Sequence, residues 1–290
     1  MSADLPSVDS GWNYYDPSAS EANFRDLIER GRSANDQAYV AEASTQLARS
    51  IGMQRRFEQA LRILDEAEAM LTDDMTRAHV RVLLERGRVA NSSGNPGDSV
   101  TIFERAFELA KSASLDGLAV DAAHMLGIAE VSDRSMTWTE RGIAIGESST
   151  DPKAKRWLGP IYNNLAWTHN NLGRHEEALA LFEKDVTAWE SAGRPFEASI
   201  AVWAQGTTLR MMGQVDRALA IQESLLDHPD RRGKPAEGFT HEEIGECLIL
   251  LGRDAEAAPH FRIAFERLDD RLQGSEPDRL TRIKRLAGLE

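Results

Sequence analysis

The residues of this chain that could carry acid–base, nucleophilic or metal chemistry are seven histidines, one cysteine and two pairs of adjacent aspartates. No two histidines lie three or four residues apart, the spacing that puts two metal ligands on one face of a helix. His169 and His175 lie six residues apart, across a turn. Cys247 falls within an apolar helical pattern, which predicts a small buried thiol. The aspartate pairs lie near predicted helix ends, where carboxylates are solvated or cap the helix: Asp73-Asp74 and Asp269-Asp270.

Motifs for phosphate binding and hydrolysis are also missing. The sequence contains no G-x-x-x-x-G-K-S/T, H-E-x-x-H, G-x-S-x-G or G-x-G-x-x-G. We therefore predict no catalytic residue, no metal and no cofactor, and hence a protein that is not an enzyme. An enzyme whose cleft is assembled only by the fold is the less favoured alternative.

The charge of the chain bears on its partners. The formal net charge is −13 and the pI is about 5.1, which argues against a nucleic-acid partner and against anionic membranes. No apolar run of about 18 residues occurs, and Met1 to Ser20 lacks the pattern of a secretory signal. With a single cysteine, the chain cannot form an internal disulfide. These features predict a cytoplasmic protein.

An internal repeat organises the sequence. Turn positions recur every 39 or 40 residues, at Arg55, Gly94, Arg134, Gly173, Gly213 and Gly252. Seven residues before each turn the residue is Ala or Gly: Ala48, Gly87, Gly127, Ala166, Gly206 and Gly245. Nine residues after each turn it is large and apolar in all but one repeat: Leu64, Phe103, Ile143, Phe182, Gln222 and Phe261. Small residues let two antiparallel helices approach, and a large residue one turn later fills the adjoining space, so the pattern predicts helix pairs.

These columns resemble those of the tetratricopeptide repeat family, over about Ala38 to Arg267. The usual period of that family is about five residues shorter, and the stretch from Tyr162 to Ala166 resembles the longer repeats of kinesin light chains. The resemblance implies an all-α fold, a right-handed α-solenoid of about six helix pairs. We place the repeats at residues 38–268, with a capping helix on each side, at residues 18–37 and 269–290.

The N-terminal residues 1–17 form a predicted flexible arm that carries Trp12, Tyr14 and Tyr15. These aromatic side chains are expected to pack on the first helices. The alternative is an arm that occupies the binding groove until a ligand displaces it. Ser18, with Glu21 three residues later, is typical of a capping box and predicts the start of the first helix.

The resemblance also implies a binding surface, because the first helix of each repeat lines the concave groove of such solenoids. Positions two, five, nine and twelve of each repeat are expected there. Trp167 and Trp203 come from adjacent first helices and should be neighbours, and an asparagine can pair with a peptide backbone. The candidate peptide-binding residues are Arg49, Arg81, Arg88, His124, Asn163, Trp167, Asn170, Trp203, Thr207, Arg210, Glu242 and Glu246.

The sequence thus predicts a protein–protein interaction module that binds a protein or peptide, apolar at its centre and acidic where it meets the three N-terminal arginines. The alternative is a cytoplasmic regulatory sensor that binds a signal peptide and acts through a partner regulator. The identity of the partner, the pathway and the oligomeric state are left open.

Overall fold

A computed structural model describes residues 5–14, 16–130 and 134–289, and within these ranges the chain is all-α, with no strand. It divides into two compact units, residues 1–157 and 158–290. Among its described residues, unit 1 contains a short 3-10 helix, η1, and eight α-helices: η1 Val8–Gly11, α1 Pro17–Ser33, α2 Gln37–Met53, α3 Phe57–Ala69, α4 Thr76–Ser92, α5 Pro96–Ser112, α6 Asp116–Ala129, α7 Arg134–Ser148 and α8 Pro152–Lys155.

Unit 2 contains seven α-helices within its described residues: α9 Leu158–Asn171, α10 His175–Ser191, α11 Pro195–Met211, α12 Val215–Ser224, α13 Pro235–Leu250, α14 Asp254–Leu272 and α15 Pro277–Leu286. Each unit is built from consecutive helix pairs of the solenoid type: α2/α3, α4/α5 and α6/α7 in unit 1, and α9/α10, α11/α12 and α13/α14 in unit 2. α1 packs before the first pair and α15 after the last.

The predicted turns carry the backbone conformation that ends one helix and starts the next. Gly94, Gly173, Gly213 and Gly252 have φ between 71° and 93°, and Arg55 has φ 62°. Glycine adopts this left-handed conformation without steric cost, which accounts for its recurrence at these sites. The predicted turn at Arg134 is wrong, because Arg134 is the first residue of α7. Residues 131–133 lie outside the described residues.

The small and large columns meet across the pairs α4/α5, α11/α12 and α13/α14, as the repeat pattern predicts. A Cβ atom built on Gly245 would lie 2.7 Å from the ring of Phe261, and Gly87 faces Phe103 in the same way. Both phenylalanines have no exposed surface. In the third pair, Gly127 instead faces Thr139, five residues after the expected turn, so helix crossing there uses a smaller side chain. This close packing sets the rotation of each first helix.

The helix ends differ in detail from the sequence-based expectation. The predicted capping box at Ser18 is wrong, because the N-cap of α1 is Asp16, whose side chain accepts a hydrogen bond from the backbone N–H of Ala19. Glu21 pairs instead with Arg25 and Arg56. At the other end, α14 extends to Leu272, and the last helix begins only at Pro277. Within the described residues, no helix combines the length and apolarity needed to span a membrane.

Candidate functional site

The first helices of unit 1, α2, α4 and α6, present the face that we call the unit 1 face. Arg81, predicted there, has a side chain only 9% exposed and lies between two carboxylates. Its Nη2 donates to Asp9 Oδ1 at 3.0 Å, and its Nε lies 2.8 Å from Glu42 Oε1 as an ion pair without hydrogen-bond alignment. Glu42 also pairs with Arg77 on the neighbouring first helix. The charges on this face therefore join α2 to α4.

The other two predicted arginines belong to one charge-balanced cluster. Arg88 donates to Glu85 at 2.7 Å and to Asp121 on α6. Arg49 lies 4.0 Å from Glu85. Burial acts to lower the pKa of Arg88, but Asp121 and Glu85 outweigh it and raise that pKa. Two cations thus face two carboxylates, so the cluster as built carries no net charge for an acidic ligand.

His124, also predicted on this face, packs its ring 5.2 Å from the ring of Trp157. Burial lowers its pKa to about 4, and Asp121 opposes the shift only in part. His124 is therefore neutral at pH 7 and contributes an aromatic surface rather than a charge.

The described part of the predicted arm, residues 5–14, lies on the unit 1 face, and we call it the N-terminal segment. Trp12 stacks edge-on against Phe24 of α1, and its Nε1 donates to Gln46 of α2 at 3.2 Å. The Arg49 guanidinium lies 5.3 Å from the centre of the Trp12 ring, a cation–π contact. Tyr14 stacks on Trp12 at 4.8 Å. Tyr15 lies outside the described residues.

Asp9 anchors the N-terminal segment electrostatically. Its two carboxylate oxygens lie 3.0 Å from Arg81 and 2.8 Å from Lys153 of α8. Burial acts to raise the pKa of Asp9, but the two cations outweigh it and lower that pKa to about 2. Asp9 is therefore ionised at neutral pH, and the segment supplies the acidic group that the sequence predicts in a ligand.

In unit 2, three aromatic rings form a continuous line across α9, α11 and α13, which we call the aromatic row: Trp167, Trp203 and Phe239. Adjacent ring centroids are 6.1 Å apart in both steps. The Trp203 Nε1 donates to the Phe239 carbonyl at 3.2 Å, and Trp167 packs edge-on against Phe182. Both indoles remain half-buried. The structure thus brings together the two tryptophans that the sequence expects to be neighbours.

The polar residues predicted around the aromatic row divide into two kinds. Asn163 is half-buried and makes only a long contact, 3.4 Å, to Asn164. Asn170 is 2% exposed, and its amide donates to Thr208 at 2.8 Å and lies 3.0 Å from His175 Nδ1. Thr207 is buried and donates to the Trp203 carbonyl. Asn170 therefore joins α9 to α11, Thr207 bonds within its own helix, and of the three only Asn163 is placed to meet a ligand.

The charges predicted in unit 2 also join neighbouring helices, α11 to α13 and α13 to α15, through partners that the sequence analysis did not identify. Arg210 of α11 makes two hydrogen bonds, of 2.7 and 2.9 Å, to Glu243 of α13. Glu242 accepts two hydrogen bonds of 2.8 Å from Arg279 of α15. Glu246 pairs in the same way with Arg282. Opposite charges 33 to 37 residues apart, about one repeat, are the signal that could have revealed these pairs.

Two further groups of chemistry-bearing residues lie elsewhere in unit 2. Cys247 is buried, as predicted, and burial together with Glu243 raises the pKa of its thiol to about 12. The sequence analysis missed the contact between His241 and His260, whose Nδ1 atoms are 2.8 Å apart. Among residues 5–14, 16–130 and 134–289, no group of three or more His, Cys, Asp or Glu side chains is arranged to hold a metal ion.

A tetratricopeptide repeat family model matches residues 161–192, the span of the helix pair α9/α10. Residues 161–192 thus match a tetratricopeptide repeat, and the chain has the fold of a tetratricopeptide repeat solenoid. No curated protein sequence matches it.

The fold is similar to that of a signal transduction ATPase with numerous domains, a protein with a tetratricopeptide repeat sensor from Pyrococcus horikoshii. The TM-score is 0.72 at 13% identity, over 92% of this chain and 44% of that one. The chain thus spans less than half the length of that relative. It is also similar to a Rap protein in complex with competence and sporulation factor, with TM-score 0.54, 16% identity and coverage of 92% and 81%. NprR in complex with its cognate peptide NprX gives TM-score 0.52, 14% identity and coverage of 96% and 81%.

Proposed function

We propose that this protein binds a peptide or protein segment on the face of unit 2 that carries the aromatic row. The observation that supports this most directly is the continuity of the row itself, Trp167, Trp203 and Phe239 at 6.1 Å steps with both indoles half-buried. Tryptophan and phenylalanine provide rigid apolar area at low entropic cost, and such residues dominate binding energies at interfaces.

The surroundings of the aromatic row define the ligand. Ile200, one helical turn before Trp203 on α11, is 39% exposed and extends the apolar surface. Asn163 offers an amide donor and acceptor to a ligand backbone. Because Arg210 already pairs with Glu243, the row is bordered by a neutral ion pair. The ligand that fits is a segment with two or three apolar or aromatic side chains.

A regulatory sensor is a second candidate, favoured by the fold comparison. The Rap and NprR structures each hold a signalling factor or cognate peptide on a fold similar to this one. The Pyrococcus horikoshii relative has its repeats as a sensor. In both candidates the protein acts by binding and not by catalysis, in the cytoplasm. They differ in whether binding alters a partner regulator.

Peptides selected from a displayed random library against the wild-type protein test the proposal. The Trp167→Ala/Trp203→Ala variant is expected to bind the selected peptides at least tenfold more weakly, because truncation of a hot-spot aromatic costs about 2 kcal/mol or more. Leu172→Ala, an exposed apolar residue at the turn of the same pair, is the matched control and should bind as wild type does.

Folding must be checked, since Trp167 also packs against Phe182. Trp203→Phe keeps a ring in the row and should retain most of the affinity, whereas Trp203→Ala should not. Far-UV circular dichroism should be unchanged in every variant compared. Equal affinity of wild type and the folded double variant for all selected peptides would refute the assignment of the site.

A further inference from the structure

The N-terminal segment contacts the unit 1 face through side chains that mimic a ligand. Asp9 lies against Arg81 and Lys153, and Trp12 lies beneath the Arg49 guanidinium. Arg81 and Arg49 are two of the three arginines from which the sequence predicts an acidic ligand. The acid expected from a partner is therefore supplied by the chain itself.

The local geometry explains how one short segment makes both contacts. Residues Val8–Gly11 form a 3-10 helix, and Trp12 follows it directly. In a 3-10 helix, side chains three positions apart lie on the same side. Asp9 lies in the 3-10 helix and Trp12 follows its last residue, and the hydrogen bonds to Arg81 and Gln46 show that the two side chains face α4 and α2. The unit 1 face thus binds a carboxylate and an indole that are three residues apart.

We propose that the unit 1 face is a second peptide site, specific for an acidic residue followed three positions later by an aromatic residue, and that the N-terminal segment is its intramolecular occupant. A partner segment of this chemistry binds by displacing residues 9–12. The proposal rests on the proposed peptide-binding function, but it concerns a different face and different residues.

The contacts made by the segment suit an exchangeable occupant. The Asp9–Lys153 ion pair joins side chains that are 33% and 41% exposed and contributes little to stability, so the pair with the buried Arg81 provides most of the electrostatic attachment. Tyr14 is 59% exposed. The firm attachments are to α1: Asn23 donates to the Gly11 carbonyl at 3.1 Å, and the Asn13 backbone and the Ser20 hydroxyl exchange hydrogen bonds of 2.8 and 2.9 Å. Displacement of residues 9–12 therefore breaks the Gly11 hydrogen bond, while the segment remains tethered to α1 at Asn13.

A fluorescein-labelled peptide with the sequence of residues 5–14 tests the exchange in the full chain, by fluorescence anisotropy. A tethered occupant is present at an effective concentration on the order of 1 mM, so it competes strongly with added peptide. Wild type should bind the probe weakly. The Asp9→Asn/Trp12→Ala variant, whose own segment docks poorly, should bind it at least tenfold more tightly. Asp9→Asn alone loses the ion pairs but keeps the packing, and should show a smaller gain.

Two controls make the result specific. Ser10→Ala changes an exposed residue of the same 3-10 helix, with a hydrogen bond only to Ser7, and should match wild type. Arg81→Gln in the double-variant background should lose the gained affinity. If the folded Asp9→Asn and double variants bind the probe no better than wild type, the segment is a permanent part of unit 1 and the proposal is refuted.

The two proposed sites can be tested independently of each other. The Trp167→Ala/Trp203→Ala variant should bind the probe as wild type does, because its changes lie in unit 2. If no variant binds the probe more tightly than wild type, the proposal for the unit 1 face is refuted, but the binding of library-selected peptides by the aromatic row is not affected. Loss of those peptides, with probe binding retained, overturns the unit 2 site alone.

Discussion

Gly245→Ala tests the helix register on which the position of the aromatic row depends. A Cβ at Gly245 would lie 2.7, 2.8 and 3.0 Å from three ring atoms of Phe261, which has no exposed surface. Ordinary carbon contacts are about 3.5–4.0 Å, so the ring or the helix must move by nearly an ångström. Overpacking of this kind costs about 1–3 kcal/mol, and the rigid ring favours the upper part of that range.

Against this cost, alanine gains about 1 kcal/mol over glycine in a helix interior. The expected net loss is about 2 kcal/mol, or a decrease in Tm of roughly 4–8 °C for a unit of this size. The matched control is Gly52→Ala near the end of α2, where the nearest neighbour, Val89, is 3.7 Å away. That variant should be neutral or slightly more stable. Urea and thermal unfolding followed by circular dichroism at 222 nm give both values.

A double-mutant cycle assigns the effect to the ring. In a Phe261→Leu background the side chain is smaller, so Gly245→Ala should become neutral or stabilising, with a coupling free energy of about 2 kcal/mol. If Gly245→Ala lowers stability equally in both backgrounds, or is as harmless as Gly52→Ala, then α13 does not cross α14 at this glycine. The orientation of α13, and of Phe239 on it, would then be wrong.

Three further predictions concern buried polar groups. Burial raises the pKa of Asp185 to about 7 against the opposing hydrogen bond from Trp189, so its ionisation makes the fold less stable as pH rises from about 4 to 7. Asp185→Asn should therefore raise the Tm by several degrees at pH 8 and by less than half as much at pH 5. The same change in Tm at both pH values would contradict this origin. Burial, and then His260, lowers the pKa of His241 to about 4 from an ordinary 6.5, so the free energy of unfolding is highest above pH 6.5 and falls by up to about 3 kcal/mol toward pH 4. His241→Phe should reduce the dependence of the urea midpoint on pH between pH 6.5 and 4.5. An unchanged dependence of the midpoint on pH would exclude His241 as its source. Arg231 is 3% exposed, and its guanidinium donates four hydrogen bonds. Arg231→Lys cannot make all four hydrogen bonds and should lower the free energy of unfolding in urea by about 2–4 kcal/mol. A loss below about 0.5 kcal/mol would show that these hydrogen bonds do not stabilise the fold.

The structure explains why the partners of the predicted groove charges could not be read from their positions. Arg81 has acidic residues within reach on its own first helix, on the preceding one and in the arm. It contacts Glu42 and Asp9 because α2, α4 and the N-terminal segment converge there. A repeat pattern specifies which face a side chain is on, but several carboxylates share that face. Helix packing determines which of these carboxylates each arginine contacts. In the structure the predicted arginines are therefore already paired with carboxylates of the chain itself.

The amino-acid sequence by itself determined the fold class, the repeat period and the contact between small and large columns, as at Gly245 and Phe261. These follow from local rules, because helix periodicity, glycine at left-handed turns and close approach at small residues act over less than one repeat. Only the tertiary structure decided the placement of Asp9 and Trp12 on the unit 1 face and the burial of Asn170. Those outcomes depend on contacts between segments tens of residues apart, and many pairings of such segments satisfy the same sequence pattern. The fold adopts a pairing that packs well and keeps buried charges and polar groups partnered.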